Sequence, residues 1–263
     1  MKKNIISLFA SAFFLSSITS HVLAQNAKGG KVEYEQFNYF VFEERPEIPE
    51  WKEFIKTLPG QTKDNMVLLF DQNAALYKQS SKPEDAMDAR MKKGIAQYEA
   101  FLAPKPMTRM TYHDFKTGEL IDQLSFMSRF FILESKVKAR PWKIGVKQVE
   151  ILGYTCREAA YKNGDETITA WFTTDIPISA GPAEYEGLPG LILAVEVNGR
   201  NAILATNVDL TFQVEGEITK PKEGQKVKGK QFDAIVQEKI KEWTASGGPQ
   251  GTPGRSKMTR LMF

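Results

Sequence analysis

The chain has 263 residues, 42% hydrophobic and 11% aromatic, a balance that excludes a disordered polymer. Its formal charge is +3, of which Lys2 and Lys3 carry two, so there is no electrostatic case for nucleic acid or an anionic membrane as partner. Cys156 is the only cysteine, which excludes an intramolecular disulfide, and His21 and His113 are the only histidines.

Residues 1–24 read as a secretory signal of bacterial style. Lys2 and Lys3 open it, Ile5 to Ile18 is apolar apart from serines, and Val22-Leu23-Ala24 stands before Gln25 as a cleavage site. The apolar run is too short for a spanning helix. No cysteine stands near the cleavage point, so no N-terminal lipid anchor is expected. The expectation is export, cleavage and a soluble form that is periplasmic or associated with the outer membrane. Residues 25–245 suit one antiparallel β domain, and 246–263, rich in Gly and basic residues, a flexible tail.

Lys31–Phe42, with Tyr34, Phe37, Tyr39, Phe40 and Phe42, predicts a first strand. Pro46 and Pro49 break it, and Pro49–Leu58 predicts a short helix with Trp51, Phe54, Ile55 and Leu58 on one face. Met66–Phe70 and Ala75–Gln79 predict a hairpin turning over Asp71-Gln72-Asn73. Between Ser80 and Pro106, Met87, Met91, Ile95 and Tyr98 recur at helical spacing, which predicts a helical insertion.

The β pattern returns with Thr108–Phe115, a Lys116-Thr117-Gly118 turn and Glu119–Phe126, and it runs on as a strand from Phe126 to Glu134. Ile151–Lys162 and Glu166–Thr173 flank Asn163-Gly164, and Leu191–Val197 and Arg200–Leu210 flank Asn198-Gly199. Asn-Gly between two β-rich runs is a strong hairpin signal, because both central residues of a type I′ turn need positive φ. In the strand from Leu191, Leu193, Val195 and Val197 share one face with it, while the other becomes polar toward the turn. Phe232, Ile235, Val236, Ile240 and Trp243 predict a C-terminal amphipathic helix. The fold expected is mainly β with minor α: a curved antiparallel meander sheet or half-barrel, a helical insertion, and the C-terminal helix as part of its cover.

The run WFTTDIPISAGPAEYEGLPGLI, Trp171 to Ile192, follows ILGYTCREAAY at Ile151–Tyr161. With Trp142, Gly153-Tyr154, Cys156, Trp171, Ile176-Pro177, Gly181-Pro182 and Gly187-Leu188-Pro189-Gly190-Leu191-Ile192, it resembles the GLPGLI family of exported Bacteroidota proteins. The resemblance implies an envelope location and no particular activity. Leu188-Pro189-Gly190-Leu191 suits a type II turn, Pro189 presetting φ and Gly190 accepting positive φ.

From Pro177 to Gly190 nothing fits a strand ladder, and long ordered connections are often functional. The default reading is that its residues pack over the open end of the sheet. The functional reading is a partner-binding loop of Trp171, Phe172, Gly181, Pro182, Tyr185, Gly187, Leu188, Pro189 and Gly190. In it, the aromatic residues and Leu188 line an apolar recess, with Glu184 and Glu186 at the rim.

Catalytic signals are thin. A Cys–His or Ser–His site needs His113, which lies in a different strand from Cys156, and no Gly-x-Ser-x-Gly elbow exists. Tyr112-His113-Asp114 reads as the solvated end of a hairpin, and Cys156 as a buried structural thiol. The acid pairs Asp165/Glu166 and Glu184/Glu186 sit in turns or loops. One histidine and one cysteine far apart give no metal shell, and no Gly-rich phosphate cradle is present. The reading is therefore a non-enzymatic envelope protein with no cofactor and no metal. Its partner is an outer-membrane or other envelope protein, a peptide or a lipid-like ligand. The alternatives are an envelope hydrolase with a carboxylate-based site and a metal-handling envelope protein.

Overall fold

The structure, a computed structural model, describes residues 29–39, 50–58, 60–80 and 104–246. The expected signal (1–24), the core of the helical insertion (81–103) and the tail from 247 onward lie outside the described residues.

Among the described residues twelve strands form one sheet. They are β1 (Gly29–Tyr39), β2 (Gln61–Asp71), β3 (Ala74–Gln79), β4 (Met107–Asp114), β5 (Glu119–Phe126) and β6 (Arg129–Lys136). After them come β7 (Lys143–Ile151), β8 (Tyr154–Asn163), β9 (Glu166–Thr173), β10 (Leu191–Val197), β11 (Arg200–Asp209) and β12 (Gln225–Val227). Two helices are described, α1 (Trp51–Lys56) and α2 (Gly229–Ala245).

Strands β2 to β6 follow one another in space, as do β7 to β11, and β1 joins the two runs by pairing with both β2 and β11. All pairs are antiparallel except β12 with β6. The order ends on β12 and β7, so the sheet is an open antiparallel meander, mainly β as the alternation and turns predict.

The pairing register sorts side chains onto two faces. Leu68, Tyr77, Thr111 and Asp122 follow one another across β2 to β5 on one face, called inner here. Phe172 and Ile192, then Ala170, Val195 and Ile203, continue it on β9 to β11. Most of this face is fully buried. On the outer face, Ala74, Leu76, Tyr112, Ile121 and Ile132 form a second cluster with Ile218 against it. The Gln123 side-chain amide donates to the Glu223 carbonyl at 2.8 Å and ties the segment before β12 across that cluster. Helix α2 docks as its spacing predicts: Phe232 packs on Phe126 and Phe131 at ring separations of 6.3 and 5.1 Å.

Several turns differ from the sequence reading. The strand expected to run from Phe126 to Glu134 is broken by Met127-Ser128, at φ 47° and 61°, which folds it into the β5–β6 hairpin. Neither residue is glycine or asparagine, so the hairpin carries no sequence signal. Strand β7 is absent from the sequence reading. Leu152-Gly153, at φ 53° and 81°, turns it onto β8, and its burial is too slight to impose an apolar alternation. At Asn163-Gly164 the hairpin is present but shifted. Asn163 pairs with Glu166, so the turn is Gly164-Asp165, with positive φ at Gly164 alone. Asn198-Gly199 does take positive φ at both residues, 52° and 74°.

Strand β10 has no polar face until Glu196: Ile192, Leu193 and Ala194 are as buried as Leu191 and Val195. The reason is the cover it receives. The Leu191 and Ile192 amides donate to the Ile176 and Ala180 carbonyls, at 3.1 and 3.0 Å, before β11 takes over from Ala194.

Candidate functional site

The connection from Thr174 to Gly190 is built as a plug. Ile176, Ile178 and Ala180 point into the core while Pro177 and Ser179 face out. Two tight turns hold that alternation, Ile178 N–H to Ile176 O and Ala180 N–H to Ile178 O, both 2.8 Å. A third closes over Pro189, Gly190 N–H to Leu188 O at 2.8 Å. Such three-residue turns prefer φ near −75° at the centre, which proline nearly presets.

This corrects the type II turn expected at Leu188–Leu191, because the Leu191 amide goes to Ile176 rather than to Leu188. Gly190 does take the expected positive φ, 157°, and Gly187 takes it too. Gly187 sits at φ 87° with open space where a Cβ would stand, so it is the left-handed residue. At Gly190 a Cβ would lie 2.0 Å from the Thr173 carbonyl oxygen, so glycine is needed for close backbone approach. Gly181 is similar, with a Cβ 2.3 Å from the Tyr185 carbonyl oxygen.

The candidate binding residues separate on this scaffold. Phe172, Tyr185 and Leu188 are at most 2% exposed and belong to the main core; each such side chain contributes about 1.5–3 kcal/mol by burial. Gly181, Pro182 and Gly190 are buried with them, while Gly187 and Pro189 face out. Trp171, next to Phe172 on β9, points to the opposite face, where its indole N–H donates to Glu196 at 3.2 Å. The expected recess is therefore not one surface.

Two polar side chains stand elsewhere than their sequence context suggests. Glu186 is buried, not at a rim, and His113 Nδ1 meets its carboxylate on the inner face. The His113 ring stands edge-on to Phe115 at 4.8 Å. Trp142, in the segment before β7, donates its indole N–H to the Glu186 carbonyl at 2.8 Å, and it packs at right angles on Tyr161 at 4.6 Å. Arg140 reaches Glu184 at 3.6 Å and lies over the Tyr185 ring. The plug is thus pinned by the His113–Glu186 contact from β4 on one side and by Arg140 and Trp142 on the other. No local signal announces this: the alternation Thr111/His113 is masked because Tyr112 is also buried.

Beside the pair, Tyr77, Thr111, His113, Gly181 and Tyr185 help line a space of ≈ 10 Å³ for a water-sized sphere, about what one water needs. Next to it Asp122 accepts from the Thr111 hydroxyl at 2.7 Å. Burial raises Asp122 above the ordinary carboxylate range, and Glu184 and Glu186 push it the same way. An acid raised in the folded state holds its proton more tightly there than in the unfolded chain. Its stabilising effect is present below the ordinary range and is lost as pH rises through the folded-state value. Asp122→Asn should therefore unfold at higher urea than the parent at pH 7, with the gap narrowing toward about pH 4; a gap that is constant or reversed sinks this account.

Cys156 lies wholly buried, and burial, with Asp175 nearby, pushes its thiol up to about 12. A thiol reagent at pH 8 should label it only after unfolding; prompt labelling of the native protein would contradict that. Among the described residues no group of three or more His, Cys, Asp or Glu is placed to hold a metal, and no helix is long and apolar enough to cross a membrane.

The class so defined is an open antiparallel meander whose main core takes in side chains of its own connection. A family model described as a protein of unknown function (Porph_ging) matches residues 161–194, from the end of β8 through the plug into β10. No curated protein sequence matches the chain. Two solved structures of PNGF-II, in the P21 and C2 space groups, are similar at 14% and 13% identity, each with a TM-score of 0.52. They match 81% and 80% of this chain, which spans 34% and 33% of theirs. At that identity the likeness is one of fold alone.

Proposed function

We propose that the chain is an exported cell-envelope protein of the GLPGLI type that binds a protein or peptide partner and catalyses no reaction. The observation that carries this reading is the main core among the described residues, to which the connection contributes Ile176, Ile178, Ala180, Tyr185 and Leu188. A lipid-like ligand needs a cavity of roughly 300 Å³ or more, whereas the space beside His113 and Glu186 takes about one water. Filling at this corner favours binding on surfaces and edges. The family model of unknown function covers residues 161–194, the stretch that holds most of the residues behind the resemblance, and the apolar run from Ile5 to Ile18 supports export.

The rival reading, a carboxylate-based hydrolase, draws on Asp122, whose raised pKa and acidic neighbours suit a general acid. Against it, the plug covers that corner of the inner face. The test is affinity purification of the mature protein from its native envelope, with mass spectrometry of bound proteins and lipids. Reproducible recovery of a protein is expected. Recovery of lipid alone, or of neither, overturns the reading.

A further inference from the structure

We propose that the outer edge of β7 is a docking site for an extended, acidic strand of a partner protein, added to the sheet as a further strand. This deepens the binding reading above and rests on it. The two ends of the sheet are unlike. β12 is three residues long, runs straight into α2, and its Lys226 is paired with Glu134 at 2.7 Å. β7 is nine residues long and nearly all exposed, and among the described residues nothing pairs its outer edge. Long open edges are usually blunted because they template pairing.

Apolar side chains gather on this edge. Six large hydrophobic side chains are exposed among the described residues, and four of them, Ile144, Val146, Val149 and Leu152, lie on β7 or its turn. Val146, within the irregular stretch between Ile144 and Gln148, is 95% exposed. The backbone is presented as well. Ile151 pairs with Tyr154 across the two-residue turn and Val149 with Cys156. Antiparallel hydrogen-bonded positions alternate, so Gln148 and Glu150 direct their N–H and C=O outward.

Charge selects the partner. Between residues 138 and 162, six basic residues stand against Glu150 and Glu158; Lys147 is paired with Glu158 at 3.0 Å and Arg140 with Glu184 at 3.6 Å, and the surplus that remains, Lys143 on β7 included, is positive. Two copies of this edge would repel each other, whereas a strand alternating apolar and acidic residues complements it in both respects.

The test uses the mature chain and two synthetic nine-residue peptides, one alternating Val and Glu, the other Val and Lys. Fluorescence anisotropy should show the Glu peptide binding at least about tenfold more tightly, weakening with salt. Hydrogen exchange should slow at the Gln148 and Glu150 amides when it binds. Gln148→Pro removes an outward N–H without touching the β8 ladder, and should abolish binding at an unchanged melting temperature. Should that variant unfold, the double change Lys143→Glu and Lys147→Glu must reverse the peptide preference.

Equal binding of both peptides, binding that survives Gln148→Pro, or amides already protected without peptide overturns the proposal. A concentration-dependent dimer lost in Gln148→Pro overturns it in favour of a second copy. If an envelope protein is still captured by Gln148→Pro, the edge is wrong and the binding reading stands. If neither peptide binds and nothing is captured, both fail.

Discussion

Replacing Gly190 by valine is expected to lower the melting temperature by about 6–12 °C, a loss of ~3 kcal/mol or more. The cause is a backbone clash that no rotamer relieves. A Cβ at Gly190 would lie 2.0 Å from the Thr173 carbonyl oxygen and 2.7 Å from its carbon. Thr173 ends β9 and is itself buried, so the strand would have to move away from β10 or the Pro189 turn would have to open. Either movement withdraws Leu188 and Ile176 from the core. Gly187→Ala is the control. Gly187 has positive φ but nothing within 4 Å of a Cβ, so alanine there costs only about 1–2 kcal/mol of backbone strain. Calorimetry of the two variants checks the order. Equal losses, or an unchanged Gly190→Val, would sink the close-approach account.

His113→Ala should destabilise the fold by about 3–5 kcal/mol, because it leaves the Glu186 carboxylate buried without its partner. Truncating one member of a buried pair costs more than removing both. The double variant His113→Leu with Glu186→Leu is therefore expected to recover most of the loss, and the coupling read from the full cycle should be large. Denaturant unfolding of parent, singles and double measures it. Additive losses would mean that His113 and Glu186 act independently, and the plug would then be held by its apolar residues and Trp142 alone.

Both expectations concern a connection whose importance is legible in the residues but whose mechanics are not. Its length, its prolines and its lack of a ladder mark Pro177–Gly190 as ordered and unusual. They do not say that Ile176 and Ala180 accept hydrogen bonds from the start of β10, nor that Trp171 and Phe172 part to opposite faces. Gly190 looks like a turn glycine beside Pro189. Its actual constraint comes from Thr173, on the far side of a loop. The Glu186 rim assignment failed for the same reason: His113 and Trp142 reach it from other parts of the chain, Trp142 across 44 residues.

What the sequence determined by itself is local. The apolar β run over Leu191–Val195, left-handed Asn198-Gly199, the Lys116-Thr117-Gly118 turn and the spacing of Phe232, Ile235 and Val236 each depend on neighbours a few positions apart. They suffice for an antiparallel meander with a docked C-terminal helix. Tertiary structure alone decided which side chains of the connection enter the core, which backbone crowds Gly190, that Glu186 meets His113, and that β7 stands at the sheet's end. Those outcomes are set by contacts between segments distant in the chain. An exposed edge strand such as β7 lacks even the burial that would write an apolar period into its residues.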